Sequence, residues 1–211
     1  DFVPIAFLGS VPLIVAVNNT LPVKNLKDMI ALAKSKPGEF LYASASTSQR
    51  VSTEMFANMA GIKLTMVPYK SSPHAITDLI AGHVATGFVE AGASIPAIKE
   101  GKLRALAVSS SMPLPLLPEV PPFSQASGAA DFESVSWHVL VAPAKTPKDI
   151  VDRLHAEMKK IMADPDLTKK VADIGLIPID TPSVDGMNEY IKAERVKWGK
   201  LVEKIGLKGS Q

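Results

Sequence analysis

The chain has 211 residues, no cysteine and a formal net charge of +2. Its length suits one large domain or two small lobes, and the lack of cysteine excludes disulfides, thiol nucleophiles and cysteine-ligated zinc sites. Lysine and arginine are spread along the chain instead of clustered, so we expect no nucleic-acid-binding surface. No apolar run approaches the roughly 20 residues that span a bilayer.

Apolar β-forming runs alternate with helical patterns along the chain, which predicts an α/β fold with largely parallel sheets. Residues 13–17 predict a buried strand. Asn25 then provides a cap for a helix whose apolar residues recur at helical spacing until Pro37 ends the pattern.

Two similar segments follow, each made of a strand, a polar turn and a helix. The strands are predicted at residues 40–43 and 65–69, and each runs into a turn rich in serine or threonine. The first of the two helices ends at Gly61. Because ligands of open α/β sheets bind at the carboxyl ends of the strands, both turns are candidates for a binding site.

Two more strands are predicted at residues 84–89 and 103–108, with a short helix at about 94–99 between them. The proline-rich segment 112–122 follows them. Since proline is incompatible with a regular helix interior, we expect this segment to run extended over the surface as a linker.

The remaining residues predict one strand and three helices. The strand lies at 137–141, and Thr146 is the expected N-cap of the helix after it, with Pro147 in its first turn. A second helix opens at Asp164, and a long terminal helix ends at Gly206.

Three motifs carry a resemblance to a known family. They are YKSSPHAITDLIAGH at 69–83, GKLRALAV at 101–108 and LPEVP at 117–121. In order and spacing, they resemble the extracytoplasmic solute-binding proteins of tripartite tricarboxylate transporters, the Bordetella uptake gene (Bug) family. The resemblance extends over essentially the whole chain.

The resemblance implies a two-lobed periplasmic binding protein fold, type II-like, with two hinge crossings. It assigns residues 20–109 to the second lobe, and 1–19 with 110–211 to a discontinuous first lobe. The hinges are expected at residues 15–18 and 107–110. Because relatives of this family begin with a further strand, turn and helix, we expect the first lobe to lack its N-terminal part.

The same resemblance implies a set of ligand-binding residues in the two polar turns. A helix N-terminus carries unpaired N–H groups and partial positive charge, which suits a carboxylate. One such turn alone is more often a plain helix cap, but two at one sheet edge favour a site. We expect them to lie on facing walls of a cleft between the lobes. The expected ligand-binding residues are Ser44, Ser46, Thr47, Ser48, Arg50, Ser72, Ala75, Thr77 and Asp78.

Two of these residues have alternative interpretations. Arg50 either pairs with a carboxylate through its guanidinium or is simply solvated. Asp78 cannot attract a carboxylate by charge, so its expected role is to orient the turn through hydrogen bonds. The alternative is that Asp78 only compensates the helix dipole.

The resemblance, together with the two polar turns, predicts a periplasmic receptor that binds a small organic acid anion, a dicarboxylate or a related carboxylate. Its expected partners are that ligand and the membrane permease subunits of the transporter. The chain contains no Gly-x-Ser-x-Gly, Walker, His-Glu-x-x-His or Rossmann motif, and its four histidines lack metal-ligand spacing, so we expect no enzyme, cofactor or metal site. The alternative is a ligand-sensing effector domain of a regulator. The sequence leaves the ligand's identity and the oligomeric state open.

Overall fold

A computed structural model of the chain describes residues 1–127 and 132–207, and the chain divides into two compact units. Unit 1 contains Asp1–Val11 and Ser136–Gln211, and unit 2 contains Pro12–Val135. The first strand, β1 (Phe2–Asn18), begins in unit 1 and ends in unit 2. These units are defined by contacts, so the lobe limits and hinge positions inferred from the resemblance stay predictions.

Unit 2 is built on a mixed sheet with the strand order β3-β2-β4-β1-β5. Strand β2 pairs in parallel with β3 and β4, whereas β1 pairs antiparallel with β4 and β5. Four of these five strands run in the same direction and β1 is reversed, so two of the four pairings are parallel, fewer than predicted. The bounds of the other four strands are β2 (Leu41–Ser44), β3 (Thr65–Pro68), β4 (Thr86–Glu90) and β5 (Leu103–Val108).

The helices of unit 2 begin and end largely where the sequence predicts. Asn25 caps the first helix, since its side chain accepts a hydrogen bond from the Asp28 N–H at 2.9 Å. Gly61 ends the second helix in the left-handed conformation, at φ +62°. The short fifth helix was not predicted. The helices are α1 (Leu26–Ser35), α2 (Thr47–Ala60), α3 (Ser72–Ala81), α4 (Ala91–Lys99) and α5 (Phe123–Ser127).

Four phenylalanines lie at the centre of the unit 2 core. The Phe88 ring centroid is 6.0 Å from that of Phe56 and 6.1 Å from those of Phe123 and Phe132. All four side chains are buried, and they join helix α2, strand β4 and the segment after β5 in one cluster. Such aromatic packing adds to the free energy gained from burial alone.

The prediction that residues 112–122 form a surface linker is wrong. Leu114, Leu117 and Val120 in this segment are buried, and the Val108 N–H donates to the Pro121 carbonyl at 2.9 Å. The segment is non-helical, as expected, but its turns direct apolar side chains inward. Proline content excluded the helix without indicating where the leucines pack.

Unit 1 contains the first part of β1, strand β6 (Val135–Pro143) from Ser136 onward, and three helices. Strand β6 pairs with β1. One buried apolar cluster of this unit comprises Ile5, Ala142 and Val151, and Phe7 and Met187 are also buried. No helix among the described residues is long and apolar enough to cross a membrane. The helices are α6 (Lys148–Met162), α7 (Pro165–Asp173) and α8 (Val184–Lys204).

The predicted N-cap of α6 is also wrong. Pro147, not Thr146, occupies the cap position, with φ −53° and ψ 140°, and no side chain there caps the helix. Since the proline ring fixes φ and the chain is extended at this residue, the helix can begin only at the next one. By contrast, Asp164 caps α7 as predicted, because its Oδ1 accepts from the Asp166 and Leu167 N–H groups.

Candidate functional site

Three helix N-termini follow strands that end at one edge of the unit 2 sheet. Strands β2, β3 and β4 run in the same direction, so their carboxyl ends share this edge. They lead into α2, α3 and α4 respectively. This is the edge where open α/β sheets bind ligands.

The first turn, residues 44–48, leads from β2 into α2. Ser46 is the N-cap, and its Oγ accepts a hydrogen bond from the Gln49 N–H at 3.3 Å and lies 3.0 Å from the Ser48 Oγ. The Ser44 hydroxyl donates to the Ser46 carbonyl at 3.2 Å. The hydroxyls thus shape the turn, and the first helical N–H groups, beginning with that of Thr47, have no acceptor within the helix.

The second turn leads from β3 into α3 and is capped differently. Ser71 occupies the cap position without a side-chain cap bond, and its Oγ lies 3.1 Å from the His74 Nδ1. Ser72 and Ala75 are buried on the inner side of the helix. Pro73 lies in the first helical turn and has no N–H to offer, so the donors at this helix start are the other backbone N–H groups and the hydroxyls of Ser71 and Ser72.

Both turns lie side by side in unit 2, so the prediction that they face each other across a cleft between lobes is wrong. The Tyr69 N–H donates to the Ser44 carbonyl at 2.8 Å, and the Gln49 Nε2 donates to the Ser72 Oγ at 3.1 Å. The cause is the parallel pairing of β2 with β3, which brings their ends together. The two turns form one continuous surface.

Thr77 and Asp78 lie one helical turn further along α3. The Thr77 hydroxyl donates to the Pro73 carbonyl at 3.0 Å, and its side chain is exposed. Asp78 accepts a hydrogen bond from the Tyr69 hydroxyl at 2.8 Å and lies 3.3 Å from the His83 Nδ1. Asp78 therefore holds Tyr69, directly before the second turn, in place.

The same contacts change the protonation of both partners. The hydrogen bond from Tyr69, followed by that from His83, lowers the pKa of the Asp78 carboxyl below its usual 3.8. Burial, followed by the hydrogen bond to Asp78, raises the pKa of the Tyr69 hydroxyl to about 12. At neutral pH the pair is a phenol that donates to a carboxylate.

Arg50 lies on α2 close to a buried tyrosine. The Tyr42 hydroxyl donates to the Glu54 Oε1 at 2.6 Å, and burial followed by this hydrogen bond raises the pKa of Tyr42. The positive charge of Arg50 acts on this phenol in the opposite direction. Arg50 is half-buried, and its pairing with a ligand carboxylate stays a prediction, as do the ligand contacts of all nine expected residues.

Gln49 belongs to this surface but is not among the nine residues expected from the sequence. It is 1% exposed, and its Oε1 accepts from the Ala45 N–H at 2.7 Å. A signal was available, because Ser46 and Gln49 have the S-x-x-Q spacing of a capping box. Such a pattern predicts that the glutamine side chain folds back onto the turn before the helix. Within residues 1–127 and 132–207, no group of three or more metal-ligating side chains is present.

Comparison with known sequences gives one matching family and several curated relatives. Residues 1–207 match the family described as tripartite tricarboxylate transporter family receptor. Protein BugT of Bordetella pertussis is 31% identical over 211 residues, which are 99% of this chain and 64% of BugT. The chain spans between 60% and 64% of the length of the first three curated relatives that it matches.

Solved structures of several proteins have folds similar to that of this chain. An R. palustris protein solved with adipate has a TM-score of 0.91 and 32% identity, covering 98% of this chain and 69% of its own. The periplasmic binding protein BugD has a TM-score of 0.86 and 26% identity, covering 98% and 70%. MatC from Rhodopseudomonas palustris, with bound malate, has a TM-score of 0.84 and 25% identity, covering 95% and 69%. These structures confirm the predicted fold class, and the family is one of transport receptors, not of enzymes.

Proposed function

Because the chain belongs to the tripartite tricarboxylate transporter receptor family, we propose that it is the solute-binding part of such a receptor and binds a small organic acid anion. The observation that carries this proposal is the continuous surface of two helix-entry turns at one edge of the unit 2 sheet. Backbone N–H groups and the positive end of a helix dipole stabilise a carboxylate without a metal or a cofactor.

The same surface and two of the similar proteins support the ligand class in this proposal. The R. palustris protein was solved with adipate and MatC with malate, and both of these ligands are dicarboxylates. In our proposal, one carboxylate group of the ligand lies against the first helical N–H groups of α2 and the Ser72 hydroxyl. Arg50 adds positive charge beside the first turn.

The remaining parts of the proposal concern location and partners. The receptor acts in the periplasm and delivers its ligand to the membrane permease subunits of the transporter. The family match favours this function over the alternative of an effector domain of a regulator. Binding selects the form of the protein that the permease recognises.

A thermal-shift screen with dicarboxylates and their neutral diamides tests the proposal. A ligand at 100 times its Kd stabilises the folded protein by ~2.7 kcal/mol. For a chain of this size, we expect adipate or malate to raise the Tm by roughly 5 °C or more, and the diamide to raise it far less. Equal shifts for acid and diamide, or no shift with any acid, would contradict an anion receptor.

Two variants locate the site. Thr47→Pro removes the first helical N–H of α2 but keeps the helix, because proline is well tolerated at this position and Ser46 is already extended, with ψ 161°. We expect this change and Arg50→Ala each to weaken acid binding by about tenfold, whereas Lys34→Ala, which removes a charge from the exposed side of α1, should not. Unchanged affinity in both site variants would place the ligand elsewhere.

A further inference from the structure

Gln49 makes three hydrogen bonds that together connect the two turns of the proposed site. Its N–H donates to the Ser46 Oγ at 3.3 Å, its Oε1 accepts from the Ala45 N–H at 2.7 Å, and its Nε2 donates to the Ser72 Oγ at 3.1 Å. The side chain is 1% exposed, so water does not compete for these bonds. An amide bonded at both ends in a buried place is held in one orientation.

The chemistry of the partners decides which end of the Gln49 amide faces which turn. A backbone N–H can only donate, so the atom that faces Ala45 must be the carbonyl oxygen. The NH₂ group then faces Ser72 and donates to its Oγ. Because a serine hydroxyl has one hydrogen and two lone pairs, Ser72 that accepts from Gln49 keeps its own hydrogen for another acceptor.

We propose that Gln49 is the positioning residue that makes this surface selective for a carboxylate over a neutral amide, an inference that rests on the proposed function. Gln49 fixes the backbone before α2 and keeps Ser72 at the start of α3 as a donor. The two oxygens of a carboxylate accept one from each turn, whereas an amide has only one such oxygen, so its NH₂ group would meet the donors of the other turn donor to donor. Preorganised donors favour the anion because no reorganisation is needed on binding.

Gln49→Met tests the proposal, because methionine keeps most of the volume of the side chain and loses its hydrogen bonds. Thr86→Val is the matched control. Thr86 is also 1% exposed in unit 2, and its hydroxyl donates to the Ala16 carbonyl at 2.9 Å, but it lies at the amino end of β4. Both variants lose buried hydrogen bonds, and only one of them touches the turns.

For Gln49→Met, we expect the affinity for adipate or malate to fall about tenfold, and the affinity for the matching diamide to fall less than about twofold. Thr86→Val should leave the ratio of the two affinities unchanged, even if it lowers stability by the same amount. Because Gln49 acts through Ser72, adding Ser72→Ala to Gln49→Met should cost little more affinity than either change alone. An unchanged acid-to-diamide ratio in Gln49→Met would overturn the inference.

Hydrogen exchange of the unliganded protein separates this inference from the proposed function. We expect the Ala45 N–H to exchange at least about tenfold faster in Gln49→Met than in the wild type and in Thr86→Val. If the wild type binds no carboxylate, the proposed function fails, and the claim of selectivity fails with it. If the acid binds but Ala45 exchange is unchanged in Gln49→Met, the inference alone is overturned.

Discussion

The two units differ in how completely they bury their apolar side chains. The main core cluster of unit 2 contains sixteen buried residues, from Leu13 in β1 to Phe132. Counted over the described residues, unit 1 buries seven apolar side chains and unit 2 buries 34. Among the described residues, nine of the eleven large apolar side chains that remain exposed belong to unit 1, including Phe2 and Ile174. Unit 2 therefore gains far more from its own burial than unit 1 does.

Helix α6 in unit 1 has an apolar face that remains largely exposed. Ile150, Leu154 and Ile161 recur at helical spacing, which correctly predicts a helix, yet each of them is between 43% and 48% exposed. Only Val151 of this helix is buried. A periodic pattern thus predicts the helix and its apolar face, but not what covers that face.

The largest expected effect contrasts a buried side chain of unit 2 with an exposed one of unit 1. Phe88→Ala in unit 2 removes a fully buried ring from the phenylalanine cluster and should lower the free energy of unfolding by about 3–5 kcal/mol. Leu154→Ala on α6 should cost about 1 kcal/mol or less, because much of this side chain is already in water. Urea unfolding followed by circular dichroism measures both changes.

Protein concentration provides the control for this contrast. The small loss of unfolding free energy in Leu154→Ala should be the same at low and high protein concentration if the apolar face of α6 stays in contact with water. If Phe88→Ala and Leu154→Ala lower the free energy of unfolding equally, or if the loss in Leu154→Ala grows with protein concentration, the apolar face of α6 is buried in solution. The contrast between the units would then be broken.

A smaller effect is expected at the helix caps. Asn25→Ala in unit 2 removes the side-chain acceptor of the Asp28 N–H and should cost about 1 kcal/mol. Thr146→Ala in unit 1 should change the free energy of unfolding by less than about 0.5 kcal/mol, because Thr146 does not cap α6. Asn25→Ser keeps an acceptor and should restore most of the loss. If Thr146→Ala lowers the free energy of unfolding as much as Asn25→Ala does, Thr146 caps α6 as the sequence predicts.

Much of the fold could be predicted from the sequence because its signals are local. The cap at Asn25, the left-handed glycine at Gly61 and the cap at Asp164 each act within a few residues, and the structure confirms all three. The errors lie where contacts distant in sequence decide. Leu117 in the proline-rich segment is buried by residues outside that segment, and no local pattern shows this.

In the candidate site, too, local features could be predicted from the sequence and contacts between distant segments could not. Residue types identified both polar turns, but their arrangement depends on the pairing of β2 with β3, which is a contact between separate segments. Because of that pairing, the two turns, which were expected on facing walls of a cleft, lie next to each other on one surface. Gln49 carried a capping-box signal at Ser46, yet its bond to Ser72, 23 residues later, required the structure.

The smallest expected effect is the pH dependence of the partly exposed Tyr69–Asp78–His83 hydrogen bonds in unit 2. The pKa of Asp78 is lowered from 3.8, so below pH 3.8 the unfolded chain binds more protons at this carboxyl than the folded protein does. The stability that Asp78 contributes is therefore fully present above pH 3.8 and is lost as the pH falls through the lower folded pKa. Asp78→Asn still offers Tyr69 an acceptor but does not titrate. In urea unfolding, its free energy of unfolding should fall less steeply below pH 3.8 than that of the wild type, while the two curves stay parallel above about pH 5.

His83→Gln sharpens this last prediction, because it removes the second partner of Asp78 and leaves the first. The hydrogen bond from Tyr69 is the larger cause of the lowered pKa, so the acid slope of His83→Gln should lie between those of the wild type and Asp78→Asn. The carboxylate is in contact with solvent, which screens the effect and keeps it below that of either the core or the cap variants. Identical acid slopes in the wild type and Asp78→Asn would mean that the Tyr69–Asp78 bond seen beside the second turn does not persist in solution. The second turn would then have lost one of the two contacts that hold Tyr69, leaving its N–H bond to the Ser44 carbonyl to fix the distance between the turns.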